Sequence, residues 1–300
     1  MASPLEIKRC TDSFCAEVVG AQLGDILDPQ NVAAWHEALE EHQLLVFRDL
    51  DSNPNGDLDA NPEAQVEIAK TLGDPLIEND SGLAYQFVSN TREGGILGDE
   101  RFAFHSDHAF MDDPIEIISL YGLDVPQEGT QTRFLNCALA AEALPESLRE
   151  PAETYHARHI IDPAAATDLI PVRRPRLSDD LPHAYHPILM REARTSRPVL
   201  YVSEQQTDIV RELDDREGRD LIEALFAHLY DDRFIYVHEW RAGDLVLWDN
   251  RALQHAREAI PAGVSRTLRR VSVGGTPVHE YFRRDAKWGL DPMPPNPAGA

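Results

Sequence analysis

The sequence predicts a mainly β protein with flanking helices, arranged as a β-sandwich or an open barrel. Short apolar segments of the length of buried strands recur along the chain and dominate its second half. Helical patterns are few, with two or three near the start and one late. No G-x-G-x-x-G or G-x-x-x-x-G-K motif occurs, so the familiar nucleotide-binding loops are absent.

The elements of the first half follow from capping residues and apolar runs. Proline after a capping side chain marks two helix starts, and glycine marks one helix end. The predicted elements are a helix from Asp28-Pro29 to about His42, a strand at Leu44–Phe47, a helix from Asn61-Pro62 to Gly73, strands at Ile115–Tyr121 and Arg133–Leu135, and a short helix at Ala138–Leu144. A turn-rich loop at Asp51–Asn61 separates the first strand from the second helix.

The second half begins with a long irregular segment. Prolines recur between Asp162 and Pro187 without a clear period, which predicts a long loop or insertion that serves as a lid over a site. The elements predicted after it are a strand at Leu200–Val202, an amphipathic helix at Arg219–Tyr230, and strands at Phe234–Trp240, Asp244–Trp248 and Thr267–Val273. The proline-rich tail at residues 291–300 is expected to be loose.

Composition limits the classes of partner. The 300 residues carry 52 acidic and 28 basic side chains, a formal net charge of −24, and this field disfavours binding to nucleic acid and to anionic membranes. No apolar run approaches the ~20 residues of a membrane span, and charges stand where a signal peptide has its apolar region. The three cysteines include no C-x-x-C pair. We therefore expect a cytoplasmic protein with no membrane or nucleic-acid partner.

The segment Phe102–Phe110 contains the first candidate metal ligands. On an extended chain, residues two apart project to the same face, so His105 and Asp107 can converge on one ion. An imidazole with a carboxylate suits a divalent metal, and a second histidine from elsewhere completes a facial triad with open positions. His108 lies on the other face and is a weaker candidate.

A second group of residues lies near the end of the chain. His255 closes the segment Trp248–His255 (WDNRALQH) after a predicted strand, and Arg266 follows beyond a turn. A loop joining two strands brings His255 and Arg266 near one another. Taken singly, each residue has an ordinary structural interpretation, as a core histidine or a solvated arginine. The combination with His105 and Asp107 favours a site.

At this point the sequence resembles the taurine dioxygenase/2,4-D dioxygenase (TauD/TfdA) family of iron(II)- and 2-oxoglutarate-dependent oxygenases. The matching stretches run from about Val18 to Val273 and are Phe104–Phe110 (FHSDHAF), Gly129–Thr132 (GTQT), Ala140–Pro145 (AAEALP), Leu200–Val202 and Trp248–His255. The resemblance implies a double-stranded β-helix core, a jelly-roll of the cupin type, in a single domain over residues 1–300. It also implies a homodimer or homotetramer.

The resemblance implies roles for five residues. His105, Asp107 and His255 match the iron ligands. Thr132 matches the threonine that bonds a carboxylate of 2-oxoglutarate, and Arg266 matches the arginine that pairs with its distal carboxylate. A guanidinium suits that role because it binds a carboxylate with two parallel bonds. Fe(II), 2-oxoglutarate and O₂ are the implied cofactor and cosubstrates, and a small molecule is hydroxylated, desaturated or cleaved while 2-oxoglutarate yields succinate and CO₂.

Departures from the family pattern bear on the substrate. The segment Pro75–Ser81 lacks the histidine and tyrosine that taurine-cleaving members place near the sulfonate, which disfavours a sulfonate. Arg270 matches a position that binds the acid group of the substrate in several relatives, and Asn90 falls near a substrate-side position. Glu78 and Asp80 would add a preference for an amine. We therefore expect a carboxylate-bearing or zwitterionic substrate, such as a small organic acid or an amino-acid-like molecule.

Two other classes of function stay open at this point. A zinc-dependent hydrolase can use the same histidines and aspartate, although it needs neither Arg266 nor Thr132. A non-catalytic jelly-roll metal-binding protein is the second alternative. Iron-dependent production of succinate separates the oxygenase from both.

Overall fold

The computed structural model describes residues 4–278 apart from residues 49, 51–60, 80, 127–128, 164 and 193. The predicted tail at 291–300, nearly all of the loop at 51–61 and Asp80 lie outside the described residues. The helices are α1 (Leu23–Ile26), α2 (Pro29–His42), α3 (Pro62–Lys70), α4 (Cys137–Glu142), α5 (Glu146–Thr154) and α6 (Asp215–Leu229). The strands are β1 (Glu6–Arg9), β2 (Ala16–Val19), β3 (Leu44–Phe47), β4 (Gln86–Ser89), β5 (Phe102–His105), β6 (Ile117–Asp124), β7 (Thr132–Asn136), β8 (His156–Ile160), β9 (His183–Pro187), β10 (Leu189–Arg191), β11 (Pro198–Leu200), β12 (Thr207–Val210), β13 (Ile235–His238), β14 (Leu245–Asp249), β15 (Leu253–Arg257) and β16 (Thr267–Val273).

Two sheets form the centre of the fold. The larger has the strand order β1-β2-β3-β14-β6-β16-β4, and the smaller has the order β13-β7-β15-β5. From β5 to β7 and again from β13 to β16, consecutive strands alternate between the two sheets, which is the connectivity of a jelly-roll. The predicted mainly β architecture with flanking helices is therefore confirmed.

Strand β14 shows why these strands read as continuous apolar runs. Its residues alternate in direction, so Leu245 and Leu247 pack on the side of α2 and α3, while Val246 and Trp248 pack between the sheets. Trp248 is fully buried against Phe134 of the smaller sheet, with ring centroids 5.2 Å apart. Both faces of β14 are covered, which leaves no polar face to produce an alternating pattern.

The predicted start agrees with the structure for helix α2 but not for helix α6. Helix α2 begins as predicted, because the Asp28 carboxylate accepts a hydrogen bond from the Gln30 N–H at 2.9 Å and caps it. Helix α6 begins earlier than the predicted Arg219, because Asp214 accepts from the N–H groups of the first turn. No helix in the described part of the chain is long and apolar enough to cross a membrane.

The segment at 162–187 has more regular structure than the sequence predicts. It contains a 3₁₀ turn at Pro171–Arg173 and strand β9, which pairs with β8 in a small sheet with β12. The Thr167 carbonyl accepts from the Ala103 N–H at 3.3 Å, so part of the segment lies beside β5. Its role as a lid stays a prediction.

Candidate functional site

Strands β5 and β15 bring the two predicted histidines together. His105 and His255 are directly opposite in the antiparallel pair, with ring centroids 4.2 Å apart. Asp107 follows at the end of β5, and its Oδ1 lies 3.2 Å from Nε2 of His105 and 3.9 Å from Nε2 of His255. One ligand atom from each residue lies within 4.8 Å of the others. The three side chains therefore form one compact N,N,O cluster.

The donor atoms of this cluster suit a metal. The Nδ1 of His105 lies 2.8 Å from the Ala103 carbonyl, and its Nε2 lies on the side of Asp107. Burial and the neighbouring His105 lower the pKa of His255 to about 3, so this imidazole is neutral at pH 7. Burial raises the pKa of Asp107, but Arg270 and the histidines outweigh it and hold the pKa well below its usual range. Two imidazole nitrogens and one carboxylate oxygen fit a divalent metal such as Fe(II) and leave half of an octahedral shell open.

Arg270 contacts the carboxylate of Asp107 and is itself paired with Glu78. Arg270 donates from Nη2 to Asp107 Oδ2 at 2.9 Å, and Oδ1 is thereby left to face the histidines. The other arm of Arg270 forms an ion pair with Glu78, whose second oxygen lies 3.3 Å from Nε2 of His108. The side chains of Arg270 and Glu78 are 8% and 5% exposed, so both charges are satisfied inside the protein.

Asn250 holds the backbone of Asp107 and has no role in the sequence-based interpretation. Its Oδ1 accepts from the Asp107 N–H at 3.0 Å, and its Nδ2 donates to the carbonyls of Asp107 and Ile115 at 3.0 Å each. The side chain is fully buried. The only sequence signal was its place in the Trp248–His255 motif, because a backbone partner far along the chain leaves no pattern of residue types.

The second part of the site surrounds Arg266 and Thr132. Thr132 lies on β7, which pairs with β15. Phe134 of β7 is directly opposite His255, and Thr132 is two residues before Phe134. The side chain of Thr132 therefore points to the same face of the sheet as His255. The Thr132 hydroxyl accepts from Trp240 Nε1 at 2.9 Å and from Arg266 Nη2 at 3.4 Å. Trp240 was not predicted to take part.

Arg266 is a buried cation without a carboxylate. It is 3% exposed, its Nε has no hydrogen-bond partner, and no described carboxylate lies within ion-pair distance. Burial, with a smaller effect of the nearby Arg257, lowers its pKa to about 9, and the guanidinium is still charged at pH 7. An isolated buried charge is costly, so this arrangement favours an anion as ligand.

Asn90 contacts the backbone that carries Arg266. Its Oδ1 accepts from the Arg266 N–H at 2.9 Å, and its Nδ2 donates to Asp99 Oδ1 at 2.6 Å and to the Val264 carbonyl at 2.8 Å. These contacts anchor the start of β16. Both the oxygen and the nitrogen of the Asn90 amide are therefore already hydrogen-bonded within the protein.

The sequence matches the model of a known protein family. The profile described as "Taurine catabolism dioxygenase TauD, TfdA family" matches residues 6–272. The chain belongs to the TauD/TfdA family.

The names of similar proteins describe different reactions. The chain is 28% identical to a pentalenolactone F synthase of Streptomyces avermitilis, over 95% of this chain and 100% of that protein. It is 30% identical to an alpha-ketoglutarate-dependent 2,4-dichlorophenoxyacetate dioxygenase of Cupriavidus pinatubonensis, over 86% of this chain and 94% of that protein. The TauD/TfdA family is thus certain from sequence, whereas the relatives differ in what their names say they make or oxidise.

A solved structure supports the same assignment. The chain superimposes on AAD-2, solved in complex with Mn(II) and N-oxalylglycine, with a TM-score of 0.71 at 25% identity, over 91% of this chain and 98% of that one. The implied jelly-roll fold is confirmed by this likeness.

Proposed function

We propose that this TauD/TfdA-family chain is an Fe(II)- and 2-oxoglutarate-dependent dioxygenase that oxidises a small molecule. His105, Asp107 and His255 would hold the metal, while Arg266 and Thr132 would hold the distal carboxylate of 2-oxoglutarate. The observation that carries the proposal is the N,N,O cluster beside a buried arginine that has no described carboxylate partner. The names of the relatives support it. When bound, Fe(II) with 2-oxoglutarate and O₂ supplies the oxidising chemistry, with succinate and CO₂ as by-products.

The residues around the cluster orient its parts. Arg270 fixes the carboxylate of Asp107 and Asn250 fixes its backbone, so Oδ1 keeps its position between the two imidazoles. The Thr132 oxygen already accepts from Trp240 and Arg266, and its own proton is therefore available to donate to a carboxylate oxygen. Arg266 adds a permanent positive charge at the same point.

The other two classes of function lack support from the structure. Zinc hydrolysis has no use for Arg266 and Thr132, and a non-catalytic protein gives no reason for an unpaired buried arginine. The dimer or tetramer and the cytoplasmic location expected from the sequence stay predictions.

The test is turnover of 2-oxoglutarate by the full chain with Fe(II). We expect O₂ uptake and succinate release, which rise when a substrate is found in a panel of small acids, amino acids and neutral molecules. His255→Ala should abolish both, while His36→Ala, on the outer helix α2, should leave both unchanged. Zinc-dependent hydrolysis without succinate release would overturn the proposal.

A further inference from the structure

Arg266, just before β16, and Arg270, within β16, have opposite surroundings. Arg266, Leu268 and Arg270 are two residues apart and point to the same side, towards the smaller sheet. Arg266 contacts Thr132 of that sheet, and Arg270 contacts Asp107 just beyond β5. Arg266 has no described carboxylate within ion-pair distance, but Arg270 has two, Glu78 and Asp107. Only the first is electrostatically free to take an anion.

Glu78 is held in place from several directions. One carboxylate oxygen pairs with Arg270, and the other lies 3.3 Å from Nε2 of His108. Its backbone carbonyl accepts from Gln86 Nε2 at 3.2 Å, and Gln86 Oε1 lies 3.5 Å from Arg270 Nη1. With a side chain only 5% exposed, Glu78 has little access to water. Its carboxylate is therefore held in one place inside the protein.

We propose that Glu78 fills the anion-binding position of Arg270, so that the substrate of this enzyme is uncharged at the end facing Arg270. This inference rests on the proposed function. A substrate carboxylate would have to displace Glu78 from Arg270 and leave its buried carboxylate without this ion pair, which is strongly unfavourable. The same pair removes the attraction of Glu78 for an amine, because the charge of Arg270 already compensates it. The carboxylate or amine expected from sequence at this end of the substrate is therefore replaced by an uncharged group.

The pair also separates substrate choice from metal binding. Arg270 uses different nitrogens for Glu78 and for Asp107, so its hold on the metal ligand does not need the substrate. A free arginine at this position would attract anions by charge alone, and Glu78 acts against them. Specificity at this position would therefore come from the repulsion of anions by Glu78.

Replacement of Glu78 by alanine offers a direct test with acetate. Glu78→Ala removes a CH₂COO⁻ group, which has the heavy atoms of acetate, and leaves Arg270 with an unfilled position. With Mn(II) and saturating 2-oxoglutarate occupying the Arg266 side, acetate is titrated against chloride at constant ionic strength. We expect saturable stabilisation of the variant, read from its melting temperature, with an acetate affinity at least tenfold above that of the wild type.

Three controls define the result. Acetamide, the uncharged analogue, should give no such gain. Gln86→Ala opens space beside Arg270 without freeing its charge and should not gain acetate binding, and Glu78→Ala/Arg270→Gln should lose the gain. If Glu78→Ala does not fold, Glu78→Gln keeps the shape of the side chain, and acetate should still bind it at least threefold more tightly than the wild type.

The outcomes decide both proposals separately. Equal acetate binding by the wild type and the folded Glu78 variant overturns the inference, as does a gain that survives loss of Arg270. Binding of 2-oxoglutarate is measured first by calorimetry, and its absence counts against the proposed function alone. In that case the acetate titration is repeated in an Arg266→Met background, where it still decides whether Glu78 fills the position at Arg270.

Discussion

Replacing Arg266 by methionine should affect ligand binding and protein stability in opposite directions. Arg266 is 3% exposed and has no described carboxylate partner, and its pKa falls to about 9. Its charge is therefore a cost to the ligand-free protein that only an anionic ligand offsets. Methionine has similar length and no charge, so Arg266→Met removes the cost and the binding group together.

The magnitude of both effects follows from the burial. Each pH unit of lowered pKa corresponds to about 1.4 kcal/mol, so a guanidinium pKa of about 9 implies a penalty on the order of 4–5 kcal/mol for the buried charge. We expect the metal-free variant to be as stable as the wild type or more stable by up to about 4 kcal/mol. Loss of the partner of a buried carboxylate costs about 2–5 kcal/mol, which weakens 2-oxoglutarate binding by roughly 30-fold to several thousand-fold.

Two measurements and one matched variant test this reasoning. Urea denaturation of the metal-free protein gives the free energy of unfolding, and calorimetry with Mn(II) gives the affinity for 2-oxoglutarate. Arg270→Met is the control, because it breaks a buried ion pair with Glu78 and should destabilise by about 3–5 kcal/mol. An Arg266→Met protein that is destabilised as much as Arg270→Met, or that keeps wild-type affinity for 2-oxoglutarate, would refute the reasoning.

Three further predictions concern the surrounding residues. Thr132→Val, which removes one hydroxyl, should weaken 2-oxoglutarate binding by about 1.5 kcal/mol or roughly tenfold in calorimetry, and an unchanged affinity would count against its role. Asn250→Ala should lower the free energy of unfolding by about 1–3 kcal/mol and weaken Mn(II) binding in a metal titration, whereas unaltered Mn(II) affinity would contradict a positioning role. The metal-free protein should lose stability as pH falls from about 6.5 towards 3, because His255 takes up a proton in the unfolded state before the folded one. His255→Gln should flatten that slope by up to one proton, and an identical slope would show that His255 does not contribute.

Local signals in the sequence were enough for several elements. Asp28-Pro29 set the start of α2, and the apolar runs at Leu44–Phe47 and Thr267–Val273 agree with β3 and β16. Strand β15 was not predicted, because Leu253–Arg257 mixes polar and apolar residues without strict alternation. Its histidine was nevertheless selected, through its motif rather than through its strand.

The sequence by itself determined the family and pointed to the candidate metal ligands. The spacing of His105 and Asp107 is a local signal and the WDNRALQH motif is local too, although Asp107 lies in the turn after β5 and not on an extended strand. The sequence did not show which charged side chains contact each other, because these side chains come from separate strands and loops. Glu78 and Arg270 each read as a substrate-binding charge, and only the packing of the segment before β4 against β16 makes them partners. Ion pairing acts over a few ångströms in space and leaves no trace in sequence spacing, so the pairing of Glu78 with Arg270 was decided by the tertiary structure.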